Sequence, residues 1–61
     1  MANLTPRELE NLEAQLCREQ NLVKKYKFYA QCCADPQLKT KCQQAAARHQ
    51  NHYNTLLGQL N

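Results

Sequence analysis

The chain has 61 residues, of which 43% are hydrophobic and 7% aromatic, and its formal net charge is +3. A chain this short has room for one domain and buries only a modest fraction of its unfolded surface, so it lies near the lower limit for folding alone. It contains no run of about 18 apolar residues, which excludes a membrane-spanning helix, and its few β-branched residues favour an all-α fold.

The first helix is predicted to begin at Pro6. Residues 5–8 read Thr-Pro-Arg-Glu, the pattern of a capping box in which Thr5 is the N-cap and Glu8 bonds back to it. Proline suits the first helical position because its missing N–H has no intrahelical partner there. The helix is predicted to cover about 6–33, a length of roughly 40 Å.

The second helix is predicted to begin at Pro36, with Asp35 as its N-cap. Because proline disfavours helical geometry at the residue before it, the first helix should end near Cys33. The second helix then covers about 36–58, or roughly 35 Å. A connection of about two residues forces the helices to lie antiparallel, so the whole chain, 1–61, is expected to form a single helical-hairpin domain.

Core positions recur in both helices at alternating steps of three and four, which is the spacing of a stripe that faces a helical partner. In the first helix the stripe consists of Leu9, Leu12, Leu16, Glu19, Val23, Tyr26, Ala30 and Cys33. In the second helix it consists of Leu38, Cys42, Ala45, His49, His52, Leu56 and Gln59. Further apolar residues widen both stripes beyond the seam that two helices can cover. We therefore expect two copies to pair as a homodimer and form a four-helix bundle.

Three polar residues lie inside these stripes, away from their ends: Glu19, His49 and His52. Counting levels outward from the turn puts Glu19 at the height of both histidines. One interpretation is a layer of charge-assisted hydrogen bonds that fixes the register of the bundle, with no cofactor. The other is a ferritin-like metal-binding protein, in which these residues from both subunits hold a transition metal such as Fe, Mn or Zn in the core of the dimer bundle, since carboxylates and imidazoles are the ligands that helical bundles use. Ala46 occupies the place of the second carboxylate that a di-iron Glu-x-x-His motif needs, which argues against an oxidising di-iron centre.

Several classes of function lack the residue patterns they need. The only dense basic patch, at Lys24, Lys25 and Lys27, is smaller than nucleic-acid-binding proteins use, so no nucleic-acid partner is expected. The four Cys show no paired C-x-x-C spacing, and no Cys is placed beside a base, so neither a zinc ribbon nor a thiol enzyme is predicted. The first nine residues lack a signal-peptide pattern, which predicts an intracellular protein. We expect a structural protein rather than an enzyme.

Three segments resemble the Coat F family of bacterial spore coat proteins: 29–32 (YAQC), 35–39 (DPQLK) and 49–57 (HQNHYNTLL). The resemblance extends from Leu4 to Leu60 and is most specific in the D-P-x-L-K turn and the H-x-x-H-Y-x-x-L ending. It implies a ferritin-like helical fold, of which this chain supplies one helix pair and a second copy supplies the other. It also implies a non-catalytic role in or around the spore coat, with other coat proteins as further partners and no catalytic residues to carry over.

Overall fold

The computed structural model describes residues 3–60, which form two long helices. Helix α1 spans Pro6–Cys32 and helix α2 spans Pro36–Leu57, and a single 3₁₀ turn, Gly58–Leu60, follows α2. No strand occurs within the described residues, so the predicted all-α class is confirmed. Each helix ends one residue earlier than expected, and the first is closed by Cys33 as an extended C-cap. Within the same range, neither helix is long and apolar enough to cross a membrane.

Both helix starts are held by the side chains that the sequence indicates. The hydroxyl of Thr5 accepts a hydrogen bond from the backbone N–H of Glu8 at 3.1 Å, and the Glu8 carboxylate accepts one from the backbone N–H of Thr5 at 3.0 Å. The predicted capping box is therefore complete. At α2, the Asp35 carboxylate accepts from the backbone N–H of Gln37 at 2.9 Å. These bonds satisfy N–H groups that the first turn of a helix leaves unpaired.

The two helices pack against each other along their length. Only residues 33–35 connect them, and so short a link leaves an antiparallel arrangement as the one available. Side chains from the two halves of the chain accordingly line common clefts: Asn11 with Gln59 at the open end, and Ala30 with Ala46 nearer the turn. The resulting hairpin is a thin rod, with Cα extents of 46 × 14 × 10 Å.

The seam between the helices buries few side chains. The buried residues are Leu12, Val23, Ala30, Ala45 and Ala46. Three of these five are alanines, and no side chain of residues 3–60 is completely removed from solvent. Two predicted core positions, Leu9 and Leu38, are 38% and 51% exposed. The hairpin therefore covers the centre of the predicted stripe and leaves its edges in water.

Candidate functional site

Glu19, His49 and His52 converge on one point along the seam. A single carboxylate oxygen, Oε2 of Glu19, lies 2.9 Å from Nδ1 of His49 and 3.3 Å from Nδ1 of His52. One ligand atom from each of the three residues lies within 4.8 Å of the other two. The structure thus brings together all three of the site residues that the sequence singles out, at the common level expected for them.

Helix geometry explains this convergence. His49 and His52 stand three residues apart in α2, and residues at that spacing lie on the same face of a helix, about 5–6 Å apart at Cβ. Glu19 lies near the middle of α1, and the short turn fixes the register that sets it opposite them. All three side chains project from continuous helix, which holds their relative positions better than a loop would.

The cluster lies at the edge of the seam and is only partly covered. The side chains of Glu19 and His49 are 15% and 21% exposed, whereas that of His52 is 59% exposed. The expectation that all three share one buried layer is therefore not met within a single hairpin. Two helices shield only the sides that face each other, and the helical phase of His52 leaves most of its side chain outside the seam.

The electrostatic setting favours the ionised form of the carboxylate. The hydrogen bond from His49 lowers the pKa of Glu19 most, and the positive charge that either histidine carries when protonated lowers it further. Partial burial opposes this by raising the pKa, and the net result is a pKa below the ordinary value of 4.5. Glu19 is thus held as an anion, which is the form that accepts hydrogen bonds and also the form that binds a cation.

Tyr26 supports the cluster, in a role that the sequence did not reveal. Its ring stacks on that of His49, with centroids 5.7 Å apart and planes within 4° of parallel. The rings of His49 and His52 are in turn perpendicular, at 88° and 5.5 Å. The only sequence signal was the position of Tyr26 one heptad after Glu19. Helical side chains lean toward the N-terminus of their own helix, so in antiparallel helices Tyr26 and His49 lean toward each other.

The cysteines stay apart from this cluster. Cys17 and Cys32 are exposed, Cys33 and Cys42 are half-buried, and all four are free thiols. Within residues 3–60, the only group of three or more metal-ligating side chains is Glu19, His49 and His52. The chemistry available at the site is therefore that of one carboxylate and two imidazoles, which can form hydrogen bonds or bind a metal ion.

No protein-family model, curated protein or solved structure matches this chain. The resemblance to Coat F proteins stays a prediction from the quoted segments of the sequence.

Proposed function

We propose that the chain is a non-catalytic assembly protein that acts as a homodimer, two hairpins packing into one ferritin-like four-helix bundle. The surface that one hairpin leaves uncovered carries this proposal. The chain exposes 4879 Å², whereas a compact monomer of 7.1 kDa exposes about 4,100 Å². The excess of roughly 800 Å² equals the area that each partner buries in an interface of standard size.

The elongated shape of the hairpin also favours pairing with a second copy. Its radius of gyration is 14.3 Å, while a compact domain of the same length has a value of about 10.5 Å. A rod of two helices has no second layer to cover its sides, and an antiparallel or parallel partner of equal length supplies one. A second copy of the chain has helices of the same length, so it can cover the whole side of the first.

The uncovered apolar residues on one side form what we call the dimer face: Leu22, Tyr26, Tyr29, Leu38, Cys42 and Leu56. At about 100° per residue, those from α1 fall within an arc of about 60° and those from α2 within about 40°. The stacking of Tyr26 on His49 puts both arcs on the same side of the hairpin. Tyr29 and Leu38 are 45% and 51% exposed, and the other four are half-buried. Covering them removes mainly apolar surface from water.

The polar cluster borders the dimer face, so a partner packed there would also cover His52. Glu19 and the two histidines would then lie inside the bundle as the polar layer that the sequence predicts. Buried polar groups of this kind can fix the register and partner choice of helical assemblies. This gives the cluster a structural role within the proposed dimer.

For the biological setting we propose the spore coat. The support is the likeness of the turn at 35–39 and of the segment 49–57 to Coat F proteins. In that setting the dimer is a spore-associated protein made inside the cell, with other coat proteins as further partners and no nucleic-acid partner. Antibodies against the chain should detect it in coat extracts of the spores of its host. Its absence from spores, with normal amounts in growing cells, would contradict the setting and leave the dimer untouched.

The dimer is tested by measuring mass in solution. Sedimentation equilibrium should give twice the 7.1 kDa of one chain. The double variant Tyr29→Glu/Leu38→Glu, which places charge on the dimer face, should shift the mass to that of a monomer. The matched control is Phe28→Glu/Leu57→Glu, which changes an exposed aromatic and an exposed leucine whose helical phases lie outside the dimer face. It should stay dimeric. A wild-type chain that is monomeric throughout the micromolar range would refute the proposal.

A further inference from the structure

We propose that Glu19, His49 and His52 bind one divalent transition-metal cation per hairpin, with Zn²⁺ the best-suited ion. The proposal goes beyond the assembly function and needs only one copy of the chain. Its ligands are one carboxylate oxygen and two imidazole nitrogens, the protein donor set of three-ligand zinc and iron(II) sites. Zn²⁺ is favoured because it accepts these borderline donors in a tetrahedral shell, with water in the fourth position.

The spacing of the donor atoms fits such an ion. With bonds of about 2.1 Å, neighbouring ligands are about 3.4 Å apart in a tetrahedral shell and about 3.0 Å apart in an octahedral one. Oε2 of Glu19 lies 2.9 Å from Nδ1 of His49 and 3.3 Å from Nδ1 of His52. The donor atoms of all three residues lie within 4.8 Å of one another, so side-chain rotation has to bring the two imidazoles closer together to complete the shell.

The position of His52 distinguishes a binding site from a simple register contact. The hydrogen bond at 2.9 Å between Glu19 and His49 would by itself fix the register of the two helices. His52 is 59% exposed, so it has water available and no need of a protein partner. Its Nδ1 nevertheless lies against the same oxygen. In the unpaired hairpin, the same exposure leaves the cation an entry path and an open side for water ligands.

Binding of the cation moves or releases protons and involves no redox step. In the metal-free cluster each neutral imidazole that faces Oε2 donates its Nδ1–H, as hydrogen bonding to a carboxylate requires. To bind the cation through Nδ1, a neutral imidazole moves that proton to Nε2, and an imidazolium releases one proton to solvent. The carboxylate binds as the anion that it already is. The cation then links α1 to α2 across a thin seam, so binding must add to the stability of the fold.

Thiols also bind zinc, so the test removes them. The chain with all four Cys replaced by Ala is titrated with Zn²⁺ by calorimetry, and its melting is followed by circular dichroism. One ion per chain should bind with Kd in the micromolar range or below. An ion concentration about 100-fold above Kd should raise the melting temperature by roughly 20 °C. Absence of binding, or binding without a rise in melting temperature, would overturn the proposal.

Variants assign the ligands. His52→Gln changes an exposed side chain and should lower zinc affinity at least about tenfold, because a three-ligand site becomes a two-ligand one. Glu19→Gln should do the same. The matched control is Glu13→Gln, an exposed carboxylate on α1, which should leave affinity and stoichiometry unchanged. Equal affinity in His52→Gln and the control would exclude the proposed ligand set.

If the Cys-free chain fails to fold, two spectroscopic measurements on the intact chain test the site instead. In the intact reduced chain, bound Co²⁺ should show ligand-field absorption without the thiolate charge-transfer bands that a cysteine site produces. Nitrogen NMR of the imidazoles should report metal at Nδ1 and hydrogen at Nε2 of both His49 and His52. Thiolate bands, or unchanged imidazole spectra, would contradict the site. A monomer that binds zinc would refute the dimer alone, and a dimer that does not would refute the metal site alone.

Discussion

Two glutamates of α1 act as hydrogen-bond acceptors at separate places in the hairpin. The carboxylate of Glu8 accepts from the backbone N–H of Thr5 at 3.0 Å, and that of Glu19 lies 2.9 Å from Nδ1 of His49. Each contact stabilises the ionised carboxylate and so lowers the pKa of its group. At Glu8 the backbone bond to Thr5 is the largest cause, followed by the bond with the Thr5 hydroxyl. The capping box is thus an electrostatic contact as well as a geometric one.

This capping box makes the stability of the hairpin depend on acidity. Because the pKa of Glu8 in the fold lies below its ordinary value of 4.5, its contribution is fully present above that pH and is lost as pH falls through the folded value. Glu8→Gln keeps a side chain that can complete a capping box and removes the titration. It should therefore lose less stability than the wild type between about pH 6 and about pH 3, measured by urea unfolding at fixed protein concentration. Glu10→Gln, an exposed change in the same region, should follow the wild type. If both variants lose as much stability as the wild type, the capping contact does not control acid sensitivity.

At the scale of the helices, the starts could be predicted from sequence and the ends less closely. A start is encoded locally, because a capping side chain and a first-turn proline act within four residues, as at Thr5 and Asp35. The ends carry weaker signals: Gly58 adopts right-handed helical angles instead of the left-handed cap that glycine allows. The helices accordingly stop one residue earlier than expected. The pairing of Glu19 with the histidines could be predicted because the short turn fixes the register of α1 against α2.

What the sequence could not give is how much of each stripe a single hairpin covers. Periodicity tells which side chains share a face, and it does not tell how many partners that face has. Leu38 and His52 both stand on the predicted stripe and both are mostly exposed. The stacking of Tyr26 on His49 was also out of reach, because it depends on side-chain direction between two helices. The exposure of the stripes and the stacking of the two rings both depend on packing between helices, which the local pattern of one helix does not describe.

The small core makes the few buried large residues important to α1 and α2. Leu12 is 4% exposed, so its truncation removes buried apolar surface from the seam. Leu12→Ala should destabilise the hairpin by about 2 kcal/mol or more, measured by urea unfolding. Leu57→Ala, at an exposed position off the dimer face, should change stability by less than about 0.5 kcal/mol. Equal losses in the two variants would mean that the seam is not the centre of the core.

At the scale of the whole molecule, the proposed dimer face has the layout of a protein interface. Its centre is aromatic and aliphatic, and a charged side chain lies on its border: Nζ of Lys25 is 5.8 Å from the ring centroid of Tyr26 and 5.7 Å from that of Tyr29. Interfaces commonly combine an apolar, aromatic centre with a polar rim. Lys25 can keep its ammonium group in water over the ring faces while a partner covers the rest. The net charge of +3 per chain is small enough for two copies to approach at ordinary ionic strength.

If two hairpins complete one core, folding and pairing are a single equilibrium, and stability must depend on concentration. Mass action then raises the melting temperature as protein concentration rises, because higher concentration shifts the equilibrium from two unfolded chains toward one folded dimer. A hundredfold increase in concentration adds about 2.7 kcal/mol to the stability of the folded dimer. Divided by the unfolding entropy of two chains, this raises the melting temperature by about 10 °C. Differential scanning calorimetry over a wide concentration range measures it, with Phe28→Glu/Leu57→Glu expected to show the same slope as the wild type. Tyr29→Glu/Leu38→Glu should melt at a lower temperature that no longer changes with concentration. A wild-type melting temperature that is constant across the range would mean that one hairpin is the complete folding unit, however much apolar surface it exposes.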